Sequence, residues 1–314
     1  MEFPDNKTIQ EAARRIAPHI NQTPVLTSEY FNHRVGAQLF FKCENFQKVG
    51  AFKSRGAVNA VFSLSDEEAA KGVATHSSGN HAQALARAAA LRNIPAYIVM
   101  PETAPKVKVA AVMGYGGTIT FCKPTLQARE DTLKQIVRET GAIEIHPYDN
   151  LTVIAGQATA AKELIEEQPN LDLILCPVGG GGFLSGTALS AHFFSPETKV
   201  IACEPAGADD AYRSFYSGEF VPSIEPKTIA DGLLTSLGKY TFPIIRKFVS
   251  DVVCVEEQEI IEAMRLIFER MKIVVEPSSA VPLAALLAQK LNVAGKKVGI
   301  MISGGNVDLN HLPF

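Results

Sequence analysis

Apolar residues follow two alternating rhythms along this chain. Short unbroken runs, each the length of a buried strand, are followed by stretches with apolar positions three and four apart, the spacing of one helix face. The runs at 39–43, 72–76, 96–100, 118–121, 142–145, 172–178, 199–204, 252–255 and 297–302 read as strands. Helical spacing predicts helices over 2–21, from 54 past 64, up to 93 after a start near 80, and over 105–113, 125–140 and 152–167. Further helices are predicted from 182 onward and over 208–215, 242–249, 257–271 and 276–290. Residues 23–26 begin an extended piece, and 44–50 carries no clear pattern.

Strand-then-helix order, repeated this often, predicts α/β architecture: parallel sheets with helices on both faces. The regular alternation over 72–145 reads as a small domain inserted into a larger one made of 1–71 plus 146–314. In such folds ligands sit off the carboxyl ends of strands. Four polar or glycine-rich segments fall there: Ser77-Ser78-Gly79-Asn80-His81, the glycines at 179–182, Glu204 onward, and Ser303-Gly304-Gly305-Asn306. Lys53 lies just beyond a fifth strand.

Composition narrows the function classes. Apolar residues make up 46% of 314, enough for a substantial core, and the net charge is −3. Nothing basic enough to track nucleic acid is present, and no apolar stretch reaches the ~18–20 residues of a membrane span. The N-terminus has no cationic segment followed by an apolar one, so no signal peptide is expected. Cys43, Cys122, Cys176, Cys203 and Cys254 are odd in number and widely spaced, which fits buried thiols in a reducing cytoplasm rather than disulfides or zinc.

The chemistry begins at Gly179, Gly180, Gly181 and Gly182. A buried strand, four bare glycines and a helix start present several N–H groups to one anion, and side chains would block that approach. No Gly-Lys-Ser/Thr closes the turn, and Ser185 stands where a dinucleotide fingerprint would need its third glycine, so neither familiar phosphate loop fits. Lys53 follows Phe52 at a loop-to-helix junction. A helix N-terminus disfavours its ammonium form and makes the amine more available. An amine nucleophile and a phosphate cup together suggest pyridoxal phosphate, its aldehyde on Lys53 as a Schiff base and its phosphate on the glycines.

At this point the chain resembles the fold-type II pyridoxal-phosphate enzymes (the tryptophan synthase β-like fold), and within them the serine racemase and serine/threonine dehydratase group. The matching segments are Ala51-Phe52-Lys53-Ser54-Arg55-Gly56-Ala57, Ser77-Ser78-Gly79-Asn80-His81, Pro177 to the glycine run, Glu204-Pro205, Thr228-Ile229-Ala230-Asp231-Gly232, Glu276-Pro277 and Ser303-Gly304-Gly305-Asn306. They occur in the family's order and cover nearly the whole chain. The resemblance implies two domains, each with a mainly parallel twisted sheet flanked by helices. It implies a cofactor site of Lys53, Phe52, Asn80, the 179–182 glycines, Phe183 and Ser303. Lys53 would also take the substrate's Cα proton. Asn80 would face the pyridine 3-oxygen and Ser303 the ring nitrogen. A hydroxyl there, unlike a carboxylate, leaves that nitrogen unprotonated and the ring a weaker electron sink, which suits β-elimination.

Ser77, Ser78, Asn80 and His81 open a helix whose free N–H groups suit a substrate carboxylate. The resemblance adds a second proton-carrying role for Ser78, on the face opposite Lys53. His81 is expected to contact the carboxylate or to be structural. Arg129 matches an arginine near the substrate, where it would favour a second carboxylate as in 3-hydroxyaspartate; as a residue of the helix predicted over 125–140 it could equally face solvent. Glu204 and Asp210 offer hard oxygens for Mg²⁺, Mn²⁺ or Ca²⁺, and the resemblance adds the Ala208 carbonyl. That site would be structural or activating and remote from the cofactor.

The expected activity is serine racemisation with L-serine and L-threonine dehydration, the alternative being threo-3-hydroxyaspartate dehydration. A non-catalytic cofactor carrier is disfavoured by the intact Lys53, Asn80 and Ser303 set. A homodimer is expected from the family. Two departures stand out: Tyr148 replaces an asparagine of mammalian serine racemases, and Glu29 and Tyr30 replace parts of their nucleotide-binding stretch, which argues against ATP activation. The chain runs only briefly past Asn306, so no isoleucine-sensing regulatory domain is expected.

Overall fold

A computed structural model describes residues 2–104 and 106–314. The chain opens with α1 (Asn6–Ile16), β1 (Val25–Leu26), α2 (Glu29–Val35), β2 (Gln38–Cys43), α3 (Lys53–Ser63) and α4 (Asp66–Ala70). Then β3 (Val73–His76), α5 (Asn80–Leu91), β4 (Ala96–Pro101), α6 (Lys106–Gly114), β5 (Thr118–Cys122), α7 (Leu126–Thr140) and β6 (Ile143–Glu144) alternate. The remainder is α8 (Leu151–Glu167), β7 (Leu173–Pro177), α9 (Gly182–Phe194), β8 (Lys199–Pro205), α10 (Asp210–Ser217), α11 (Thr241–Phe248), β9 (Asp251–Val255), α12 (Glu257–Met271), α13 (Pro277–Leu287) and β10 (Lys297–Ile302).

Two sheets form. The larger has the order β1-β2-β10-β7-β8-β9 and the smaller β5-β4-β3-β6. All neighbours run parallel except β1, which is antiparallel to β2. In the large sheet β10 and β7 are buried on both faces. Leu173, Leu175, Val298, Ile300 and Ile302 pack into one hydrophobic layer, and Ile174, Cys176 and Met301 into the other. That double burial is why these strands read as unbroken apolar runs. Ile302 is in register with Cys43, so Ser303 and Glu44 leave the sheet at the same level. Pro177 ends β7 on the neighbouring strand and feeds the glycine run.

Helix α3 joins the two sheets. Its residues Ala57, Val58, Ala60 and Val61 share one core with Val73, Ala82, Leu85 and Ile98 of the small-sheet block. On its other side α3 approaches α8 closely: a Cβ on Gly156 would stand 2.7 Å from the Arg55 carbonyl oxygen. Two sheets therefore meet across the helix that begins at Lys53.

Several predicted bounds shift, for local reasons. The first helix starts at Asn6 because the Asp5 carboxylate caps the Thr8 N–H at 2.8 Å. It gives way to a 3-10 turn at Ala17–His19 containing Pro18. Residues 206–208 form a 3-10 turn, and α10 begins only at Asp210. The short helices α2 and α4 and the 3-10 turns within 44–50 carry too few residues to show a helical period. Pro105, the first residue of the helix predicted over 105–113, lies outside the described residues. Cys43, Cys122, Cys176 and Cys203 are buried, Cys254 is half-buried, and all are free thiols. Among the described residues no helix is long and apolar enough to cross a membrane.

Candidate active site

Lys53 is the first residue of α3, half-buried, with its Nζ donating to the Pro147 carbonyl at 2.7 Å. Burial pulls its pKa down from 10.5 to about 8, and the charge of Glu276 works in the opposite direction. A substantial share of its amine is therefore neutral near physiological pH. Phe52 precedes it and stacks on Phe183, ring centroids 4.0 Å apart and planes 15° from parallel. That pair ties the lysine's turn to the start of α9.

The glycine run wraps the other side. Gly181 adopts φ 84° and caps α9, a conformation that disfavours any side chain. A helix beginning at Gly182 leaves its first N–H groups without intrahelical partners. The run also has no room for side chains. A Cβ on Gly179 would stand 2.7 Å from Leu233 Cα and one on Gly182 2.8 Å from Tyr148 Cβ, while one on Gly180 would run into the Tyr148 ring. Thr241 Oγ holds the Gly180 carbonyl at 2.9 Å. Tyr148, the departure noted in the sequence, thus packs against the cup, edge-on to His146 at 4.6 Å.

The segment after β3 meets Glu276 and the turn after β10. Asn80 begins α5, and both polar atoms of its amide have partners. Nδ2 donates to Glu276 Oε1 and Oε2 at 3.1 and 3.0 Å, and Oδ1 accepts from Asn306 Nδ2 at 2.8 Å. Asn306 Nδ2 also donates to the Val49 carbonyl at 2.7 Å, and a carbonyl only accepts, so both amide orientations follow. One Asn80 N–H is committed to Glu276 and the other is left for a ligand. Glu276 is buried, and that burial raises its pKa to about 7, with the Asn80 hydrogen bond opposing the rise. Ser77 Oγ accepts from the Gly79 N–H at 3.3 Å, while the half-buried Ser78 hydroxyl has no hydrogen-bond partner among the described residues.

His81 is buried. Its Nε2 lies 3.0 Å from the Ile145 carbonyl oxygen, and burial drives its pKa down to about 3, so the ring stays neutral. Its Nδ1 is buried without a partner among the described residues, and the Lys53 charge also lowers its proton affinity. Ser303 is buried, 2.9 Å from Ser279 Oγ, which also reaches the Gly304 carbonyl at 2.7 Å. Ser279 has a single hydrogen. The Gly304 carbonyl can only accept it, so Ser303 Oγ donates to Ser279 Oγ and turns to a ring nitrogen only by giving up that bond. Arg129 lies in α7 with its Nε buried and unpartnered among the described residues. Burial lowers the pKa of His76 at the end of β3, and the nearby Arg129 charge lowers it further.

Glu204 and Asp210 are fully buried. Glu204 accepts the Ala211 and Tyr212 N–H groups at 3.0 and 2.8 Å. Both Asp210 oxygens lack a hydrogen bond of ordinary geometry, although the Leu237 amide and the Ser223 hydroxyl stand near enough to lower its proton affinity. Burial nonetheless lifts Asp210 to about 6, and burial and Asp210 lift Glu204 well above the carboxylate range. Two buried carboxylates held together, with no ion pair of their own among the described residues, fit a hard cation. Among the described residues no third acidic, histidine or cysteine side chain joins them, so further ligands would be carbonyl or water oxygens.

A phosphate cup without room for side chains, a depressed lysine amine, one uncommitted amide N–H and a buried hydroxyl are the parts pyridoxal phosphate needs, and these residues fit it. The sequence model of the pyridoxal-phosphate dependent enzymes matches residues 16–304. The chain belongs to that family. Among its pyridoxal-phosphate-dependent relatives is the beta-hydroxyaspartate dehydratase of Paracoccus denitrificans, 53% identical over 314 residues and the full length of both chains. The serine racemase of Dictyostelium discoideum is 55% identical over 310 residues, 98% of this chain and 96% of that one. Its crystal structure superposes with a TM-score of 0.94, covering 97% of this chain and 99% of that chain. The L-threo-3-hydroxyaspartate ammonia-lyase of Saccharomyces cerevisiae is 52% identical over 310 residues, 98% of this chain and 95% of that one. The fold-type II assignment and the enzyme class expected from the sequence are those of this family.

The sequence showed no reason to single out Asn306 individually, or Glu276 as more than part of a Glu-Pro motif. Their signal was the positions they occupy, at the start of α13 and in the glycine-rich turn after β10, both at the carboxyl side of the large sheet.

Proposed function

We propose that this enzyme converts small β-hydroxy amino acids, dehydrating L-serine and L-threonine to oxo acids and ammonia and racemising serine. The observation that carries the reading is Lys53: a half-buried amine with a pKa near 8, opposite a cup that admits no side chain. Bound pyridoxal phosphate supplies the electron sink that loosens the substrate's Cα–H bond. Lys53 Nζ would hold the cofactor until the substrate's amine displaces it, and the freed amine would take the Cα proton from one face. Ser78, whose hydroxyl is uncommitted, delivers a proton from the other. The N–H groups opening α5 hold the substrate carboxylate, Asn80 orients the cofactor, and Ser303 gives its ring nitrogen a neutral partner. Mg²⁺ at Glu204, Asp210 and the Ala208 carbonyl would relieve the buried charge there. A homodimer in the cytoplasm belongs to the same reading.

A second reading, threo-3-hydroxyaspartate dehydration, is favoured by Arg129. A buried, unpartnered guanidinium nitrogen close to His76 has the charge for a second substrate carboxylate. One panel tests both: L-serine, L-threonine and threo-3-hydroxyaspartate, followed for oxo-acid release and for D-serine. Lys53→Ala is expected to lose about 10²–10⁴-fold in every reaction. Ser78→Ala should cost D-serine formation more than oxo-acid release. Arg129→Ala should raise KM for hydroxyaspartate about 10–100-fold, the worth of a charge-assisted hydrogen bond, and leave threonine within a few-fold. Undiminished turnover by Lys53→Ala would overturn the proposal.

A further inference from the structure

Arg55 lies two residues after Lys53, about 200° around the first turn of α3. Its guanidinium makes two forks. Nε and Nη2 donate to Glu44 Oε2 and Oε1 at 2.7 and 2.8 Å, and Nη1 and Nη2 donate to Glu163 Oε1 and Oε2 at 2.6 and 2.8 Å. Lys42 Nζ stands 2.7 Å from Glu163 Oε2 and donates to the Thr23 carbonyl at 2.7 Å. The Thr23 hydroxyl donates to Glu44 Oε1 at 2.6 Å. Two cations and two carboxylates balance, and Arg55, Lys42 and Glu44 are each 0% exposed. Burial alone would push the Glu163 carboxyl up, but Arg55 and Lys42 hold it below the ordinary value.

Buried ion groups are a poor source of stability, because desolvation offsets their attraction. A planar guanidinium with two forks supplies direction instead. Glu44 follows the end of β2 and Glu163 lies on α8. The first turn of α3 is therefore keyed at once to a strand and to a helix. The Gly56 N–H, bonded to Gln157 Oε1 at 3.1 Å, seats the same turn.

We infer that this buried four-charge cluster is the positioning device for Lys53, holding the first turn of α3 in one rotation so that Nζ stands at one place in the site. The inference rests on the reading of Lys53 as the lysine that bears the cofactor. It makes Arg55 a positioning residue, since nothing places it against a reacting atom.

Two variants test it. Arg55→Lys keeps the charge and loses the forks. Lys42→Met with Glu163→Gln keeps the cluster neutral and loses one fork. Each is compared with wild type for kcat and KM when loaded with pyridoxal phosphate. Without the cofactor, each is compared for the pH midpoint of Lys53 acylation by acetic anhydride, read by mass spectrometry. In whichever variants fold, kcat should fall about 10-fold or more with KM within about 3-fold, the pattern of a misplaced group. The acylation midpoint should rise from about 8 toward that of an ordinary lysine as Nζ gains water. A folded variant with both wild-type kcat and a wild-type midpoint would overturn the inference. Should Arg55→Lys not fold, the charge-balanced double variant decides alone. If loaded wild type shows no visible cofactor absorbance, the reading of Lys53 falls, while the acylation midpoints still read the cluster.

Discussion

Glu276 and Lys53 carry opposite charges in one buried space, and each is held away from its ordinary protonation. Glu276 rises from 4.5 to about 7. The native state thus binds a proton between those values that the unfolded chain has released, so this contribution to stability is present below pH 4.5 and lost as pH rises through 7. At most about 3.5 kcal/mol is involved, at about 1.4 kcal/mol per pKa unit. Glu276→Gln keeps an acceptor for Asn80 and removes the titration. Cofactor-free Glu276→Gln should gain stability over wild type on going from pH 5 to pH 8 in urea unfolding. Comparing variant with wild type cancels the opposite slope of His81 and His146, whose pKa values are depressed. A difference independent of pH would mean that Glu276 does not titrate in this window. At this scale the lysine and the glycines were legible, because their residue types are restricted by chemistry. The Asn80–Asn306–Glu276 relay was not, because an amide's partner depends on which distant loops meet, and no spacing records that.

Among the elements, the turn from β7 to α9 is the most constrained. Its glycines are shaped by what packs outside them, Tyr148 above all. Gly180→Ala should destabilise by about 1–3 kcal/mol through overpacking and weaken pyridoxal phosphate binding. Adding Tyr148→Ala should restore most of the stability. Thermal unfolding and equilibrium dialysis with the cofactor would check both, and a double variant no better than Gly180→Ala would locate the strain elsewhere. Long periodic elements such as α12 and β10 were readable from the chain because burial imposes the period. Bounds near caps were not: Asp5 and the Ala206–Ala208 turn act through single hydrogen bonds and local dihedrals, which leave no repeat in the sequence.

At the scale of the whole molecule, ion pairs tie the small-sheet block to the rest of the chain, Lys108 of α6 to Asp231 at 2.7 Å and Arg92 to Asp66 at 2.9 Å. Asp210 acts on global stability instead. Its pKa is raised from 3.8 to about 6, so its contribution is lost as pH rises through 6, and at pH 8 it is a buried charge. Without cation at pH 8, Asp210→Asn should be the more stable protein by up to about 3 kcal/mol. With Mg²⁺ at 100 times Kd, wild type should gain about 2.7 kcal/mol and the variant little. An equal gain by both would remove Asp210 from any cation site.

The strand order of the large sheet sets a timetable as well. β10 lies between β2 and β7, which do not pair with one another. During synthesis β2 therefore waits, with only β1 beside it, while some 250 further residues leave the ribosome (297 − 43 = 254). Ser303 arrives with the strand that closes this gap, so the nascent chain has no finished cofactor site to offer until its central strand, made after all the others, is inserted.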